Sequence, residues 1–152
     1  MLVELGSKEV LKRMKYTISA TLGVTGSVVA SLFGGWTAAM TTLLIFMVID
    51  YVSGFLCASV FHQSPKTESG GLESRAGYKG LCRKGMILLF VLIGYRLDLA
   101  LGSTYIKDAV CIGFMCNELI SIVENAGLMG LPIPGVISKT IDILTEKESE
   151  VK

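Results

Sequence analysis

The sequence predicts an all-α integral membrane protein built of helical hairpins, with four transmembrane helices that self-associate. Three observations carry this expectation. Hydrophobic residues make up 51% of the chain and charged ones only 18%, whereas soluble domains run near about 25% charged, and the mean hydropathy is +0.61. The apolar residues are gathered into four stretches separated by polar segments. The basic residues avoid those stretches and alternate between them in a way that fits a membrane topology. At 152 residues the chain has the size of one domain.

Residues 1–15 form a basic N-terminal arm with Lys8, Lys12, Arg13 and Lys15, and the first apolar stretch follows from Tyr16 to Phe33. This order is also how a signal peptide begins, with Val28-Val29-Ala30 as a loose cleavage site. The run continues through Ser31-Leu32-Phe33, so it reads as a retained anchor. The second stretch runs from Trp36 or Thr37 to Phe61, the third from Gly85 to Leu101 and the fourth from Ala109 to about Gly130. A helix needs roughly 17–25 residues to cross the hydrocarbon. The second and fourth meet this comfortably, and the first and third lie at the short end.

Gly34-Gly35 makes a tight link that would pair the first two stretches as an antiparallel hairpin. The segment 62–84 is rich in Ser, Gly, Lys and Glu and reads as a cytoplasmic loop. Gly102 to Asp108 forms the second short turn, and Pro132 and Pro134 end the fourth stretch, closing a transmembrane domain of residues 16–132. In the tail, 133–152, Ile137, Ile141 and Leu144 recur at i, i+4, i+7. That suits a short helix on the membrane surface, followed by a disordered charged end from Glu146 to Lys152.

Cytoplasmic segments carry the excess of Lys and Arg. The arm holds four, the central loop five (Lys66, Arg75, Lys79, Arg83, Lys84) and the tail three, so twelve of the fourteen fall on one side. Both termini are therefore expected in the cytoplasm. Lys107 lies in a short turn, and only Arg96 lies within a span. A three-span arrangement is the alternative, because Thr17, Ser19, Thr21, Thr25, Ser27 and Ser31 make the first stretch the weakest inserter.

Composition also excludes several classes. A net charge of +1 does not point to nucleic acid. Cys57, Cys82, Cys111 and Cys116 form no C-x-x-C pair, so they read as small hydrophobes and not as a zinc site or a disulfide framework. His62 is alone, at a membrane boundary. No metal, cofactor or catalytic set is expected, and the chain is not read as an enzyme.

Small residues form rows on the first stretch: Ser19, Gly23, Ser27, Ser31 and Gly35, and beside them Gly26, Ala30 and Gly34. Such faces let helices approach closely, either within the chain or between copies. Asp50 lies mid-way along the second stretch, where a charge costs about 2.5–3.5 kcal/mol, and Ser53, Gly54 and Cys57 share its face. Arg96 and Asp98 fall near the outer boundary of the third stretch, where Arg96 can snorkel. On the fourth, Asn117, Ser121, Glu124 and Asn125 fall on one face with Glu118 at its margin, a pore- or contact-lining arrangement. Asp50, Glu118 and Glu124 outnumber the basic residues at depth, so several of these acids are expected to be protonated or wet.

In these residues the chain resembles the toxin secretion/phage lysis holin family, over about Trp36 to Leu144. The resemblance lies in Asp50-x-x-x-Gly54, in Ser74-x-x-Gly77-x-x-Gly80-Leu81-x-Arg83-Lys84, in Glu118-x-x-Ser121-Ile122-x-Glu124-Asn125 and in Gly130-x-Pro132-x-Pro134. It implies a phage- or prophage-encoded protein of the bacterial cytoplasmic membrane that oligomerises into lesions. These would collapse the proton-motive force and release an endolysin, or export a toxin. It also implies a cytoplasmic loop motif of Gly77, Gly80, Arg83 and Lys84, and acids (Asp50, Glu118, Glu124) hidden in helix contacts before triggering. Members with three spans keep that alternative open. The competing readings are a small four-helix proton-coupled transporter or ion channel using a buried acid, and a non-conducting assembly protein held by the glycine rows.

Overall fold

The computed structural model describes residues 2–67 and 69–150, with 2–8 and 144–150 as backbone only. Among them there are five helices and no strand: α1 (Leu2–Leu32), α2 (Ala38–Ser59), α3 (Ser74–Leu101), α4 (Ile106–Leu128) and α5 (Gly135–Glu150). The chain divides into two units, one ending at Trp36 and one beginning at Thr37.

The first unit is α1. The basic arm and the first apolar stretch are one continuous helix, because no proline separates them and Leu, Lys and Glu favour helix. Its hydroxyls bond back to the preceding turn: Thr17 Oγ1 donates to the Arg13 carbonyl (3.0 Å) and Thr21 Oγ1 to the Thr17 carbonyl (2.9 Å). They are thereby satisfied without a partner helix. The helix ends where Gly34 and Gly35 take φ of 70° and 86°, and the Gly35 N–H donates to the Ala30 carbonyl (2.8 Å). This closure needs the left-handed backbone that glycine adopts without strain.

In the second unit Thr37 caps α2, its Oγ1 accepting from the Met40 N–H (3.3 Å). α2 turns Met40, Leu43, Met47, Asp50 and Cys57 inward, the three-and-four spacing of a packed helix seam. α4 is the central element. It packs broadly against α2, then α3, and touches α5, while α2 and α3 meet only over a small area. The fully buried core is Met40, Leu43, Val91, Cys57 and Cys111.

The α3–α4 turn is built by Asp98. Gly102 (φ 66°) donates its N–H to the Asp98 carbonyl. The Asp98 carboxylate accepts from Ser103 Oγ (2.6 Å), the Ile106 N–H (3.0 Å) and the Lys107 N–H (2.9 Å). It thus satisfies the free N–H groups that begin α4. Gly94 brings the two helices together, for a Cβ there would lie 3.1 Å from Lys107 Cα. The Lys107 ammonium stands over the Tyr95 ring (5.6 Å), and Arg96 is exposed.

Three expectations change here. Residues 74–84, read from composition as loop, are the first turns of α3. No proline follows Pro65 until Pro132, and Gly77 and Gly80 are tolerated because the helix closes on the Tyr51 ring there. The true loop is shorter and folded. The Gly70 carbonyl (φ 69°) accepts from the Ser64 N–H (2.9 Å), and a side chain at Gly70 would collide with the His62 carbonyl. The charged end of the tail is helical to Glu150, as part of α5, because Glu, Lys and Thr continue the turn begun after Pro134; residues 151–152 lie outside the described residues. Finally, among the described residues only α2 is long and apolar enough to cross a membrane on length and composition alone. Charged and polar residues along α3 and α4 keep those two below that mark.

Candidate functional site

The inward seams of α2, α3 and α4 converge on a cluster of charges. On α2, Asp50 follows Met47 on the buried face and is 8% exposed. On α3 the inward row Ile87, Val91, Gly94, Asp98 extends one turn back to Lys84, at the same three-and-four spacing. On α4 the buried positions Cys111, Glu118 and Asn125 recur every seven residues, with Glu118 6% and Asn125 4% exposed.

Lys84 joins the three helices. Its Nζ lies 2.8 Å from Asp50 Oδ2 and also donates to Glu118 Oε2. Its side chain is 11% exposed. Asn125 Nδ2 donates to Ser53 Oγ (2.9 Å) and to Asp50 Oδ1 (3.3 Å), and Ser53 Oγ donates back to the Asp50 carbonyl (3.1 Å). Ser121 faces the Asp50 carboxylate from α4. Gly54 lies against the amide, where a Cβ would stand in ordinary contact, 3.6 Å from Asn125 Nδ2. Among the described residues no buried side-chain nitrogen or oxygen lacks a hydrogen-bond partner.

The charge arithmetic is simple: two carboxylates share one ammonium. Opposite charges taken out of water lose hydration, and only good geometry with further hydrogen bonds returns it. Here a single cation serves both acids. The lysine assigned to a loop is thus the shared partner of two of the three acids expected at depth.

Other sequence-derived residues fall elsewhere. Asn117 and Glu124 are exposed and border a cleft of about 930 Å³ that the cluster also lines, with Tyr51, Phe55 and Tyr78 among its walls. Glu118, placed at the margin of the polar face, is at its centre, and Glu124 is at its edge. Gly77 and Gly80 flank Tyr51, whose hydroxyl would lie 3.6 Å from a Cβ on Gly77. Arg83 is exposed. Gly23, Gly26, Ser27 and Ser31 are exposed on α1, with open space where side chains would extend from the two glycines. Lys84, which the sequence assigns to the cytoplasmic loop motif, is the residue whose inward position sequence reasoning missed. Its signal was present in the extrapolated inward row of the third stretch, but the loop-like composition before Gly85 hid it.

The sequence profile of the bacteriophage holin family matches residues 27–146. An uncharacterised protein of Halalkalibacterium halodurans is 35% identical, over 90% of this chain and all of its own length. One from Listeria monocytogenes is 36% identical, over 82% of this chain and 84% of its own. A probable holin of Bacillus phage phi105 is 27% identical, over 72% of this chain and 76% of its own. No solved structure matches.

Proposed function

Because the chain belongs to the bacteriophage holin family, whose members are non-enzymatic membrane proteins, we propose that it acts as a holin. It inserts into the bacterial cytoplasmic membrane, gathers with further copies, and opens lesions that dissipate the proton-motive force and release an endolysin or a toxin. The observation that carries this reading is the inverted distribution of polarity in the α2–α4 bundle. Asp50, Lys84, Asp98, Lys107, Glu118 and Asn125 are inside, while Ile45, Val48 and Val52 on α2 and Phe90, Ile93 and Leu97 on α3 face outward. Contiguous apolar surface of this kind calls for lipid or a partner, and intramembrane ionisable groups face a bundle interior.

On this reading α2, α3 and α4 cross the membrane, and the part of α1 beyond Tyr16 makes the fourth crossing. The termini and α5 lie on the cytoplasmic side. The charges carried by α3 do not prevent its insertion: Asp98 is consumed in capping α4, Lys84 is paired, and Arg96 is near the helix end. The rows through Gly23, Gly26, Ser27 and Ser31 supply contact faces between copies.

Lys84 acts as the latch in this scheme. While it bridges Asp50 and Glu118, the three helices close around one ammonium shared by two carboxylates. Once it withdraws, the acids can be accommodated only against water, beside Glu124 and Asn117. The two packings form the bistable element that an abrupt opening needs.

Induced expression in bacteria with a co-expressed endolysin tests this. A holin gives normal growth, then sudden arrest and endolysin release, advanced by an uncoupler. Solute tolerance altered without lysis would assign a transporter, and neither effect would leave an assembly protein. The lining role of the acids falls if Asp50→Asn and Glu124→Gln proteins both accumulate normally and lyse cells on the wild-type schedule.

A further inference from the structure

α3 carries a stripe that changes character along its length. Arg75, Lys79, Arg83, Met86, Phe90, Ile93 and Leu97 succeed one another at steps of three or four residues, so they share one helix face, and all seven are exposed. The first three are cations and the last four are apolar. Lys84 is the next residue after Arg83, but it stands about 100° round the helix and turns inward to Asp50 and Glu118. None of Arg75, Lys79 and Arg83 is ion-paired with a described residue. Tyr78 and Leu81, exposed on other sides of the same turns, are amphipathic and apolar side chains of the kind that favour the headgroup level of a bilayer.

We infer that the N-terminal turns of α3 form a binding row for the phosphate headgroups of anionic phospholipids. The inference rests on the membrane-spanning reading of α3. Continuity selects the partner: the apolar part of the stripe requires acyl chains, and the cationic part begins on the same face one turn beyond it, where headgroup phosphates stand. A soluble acidic partner would leave that alignment without purpose. Lys79 and Arg83 also edge the cleft that contains the charge cluster. A lipid held on the row therefore borders the latch. The nearby Glu73 carboxylate is engaged by Ser69 Oγ (3.2 Å).

The test uses the full chain purified in detergent, with binding of a fluorescent phosphatidylglycerol compared with a phosphatidylcholine of the same acyl chains. A basic side chain near an anionic surface contributes about 1 kcal/mol, roughly fivefold in affinity. Lys79→Gln is expected to weaken phosphatidylglycerol binding roughly fivefold, Lys79→Arg to restore it, and the triple Arg75→Gln, Lys79→Gln, Arg83→Gln variant to abolish the preference over phosphatidylcholine. Arg96→Gln, exposed on the far end of α3 and off the stripe, leaves the preference intact. A triple variant of unchanged helical content that keeps the preference overturns the inference, as does an equal loss in Arg96→Gln. Displacement of phosphatidylglycerol by millimolar inorganic phosphate would assign a free-anion site and overturn it too. Alkaline extraction of the protein from membranes reads the spanning proposal separately: a retained protein with no row-dependent preference sinks this inference alone.

Discussion

Two parts of the α2–α4 bundle differ in what holds them. Around Met40, Leu43, Met47, Val91 and Cys111 the buried side chains between the helices are apolar. A few turns along, the same helices meet through Asp50, Lys84, Glu118, Asn125 and Ser53. In lipid the first region gains little from leaving the solvent, because the solvent is equally apolar. It is held by close packing, which degrades gradually as contacts are lost. The second region is held by ion pairs to one shared ammonium, which is present or absent. Under the proposed holin function, the switchable half would be there, and the apolar half would keep the helices in register.

The comparison breaks most sharply at Lys84. Lys84→Met leaves two buried carboxylates without a cation, and removing one partner of a buried pair costs about 3–5 kcal/mol. Unfolding of the purified protein, followed by loss of helical circular dichroism in detergent, should show that loss. Adding Asp50→Asn and Glu118→Gln to the same chain should return most of it, since the group is then neutral throughout. A Lys84→Met protein as stable as the wild type would remove charge balance from the account.

Leu43→Ala probes the apolar half. The void left in a fully buried position should cost about 2 kcal/mol, near the low end for such truncations, because the transfer contribution is small in lipid. The same unfolding measurement should show no recovery when the cluster is neutralised. Coupling between Leu43 and Lys84 in a double-mutant cycle would mean that the two halves are one unit.

The smallest effect belongs to Glu124→Gln. An exposed side chain away from caps and pairs changes stability by no more than about 0.5 kcal/mol, so unfolding should be unaltered. Only the timing of lysis should respond, since this acid borders the cleft without entering the cluster.

Much of this arrangement was legible beforehand, and the failures have physical causes. Asp50 was found because a carboxylate in an apolar run is costly and therefore conspicuous. The polar face of α4 was found from its helical period, but a wheel drawn on an isolated helix cannot say which edge of a wide polar face meets a neighbour. Glu118 and Asn125 are inside, and Glu124 and Asn117 border the cleft, because α2 approaches on the side of Cys111. Asp98 was read as a boundary charge, and its task as the cap of α4 depends on a turn whose hydrogen bonds only the folded chain displays. Lys84 was misplaced because Ser, Gly and Lys read as loop, while tertiary contact with Tyr51 stabilises a helix through the same residues.

By itself the sequence determined that the chain is helical, that its apolar stretches lie where α1 to α4 form, and that acids stand among them. Those properties follow from composition and period, which are local. Only the tertiary structure decided that Lys84 belongs inside with Asp50 and Glu118, and that Arg83, its neighbour, belongs outside. Which side of a helix is buried is set by the elements packed against it, and no count along the chain contains that information.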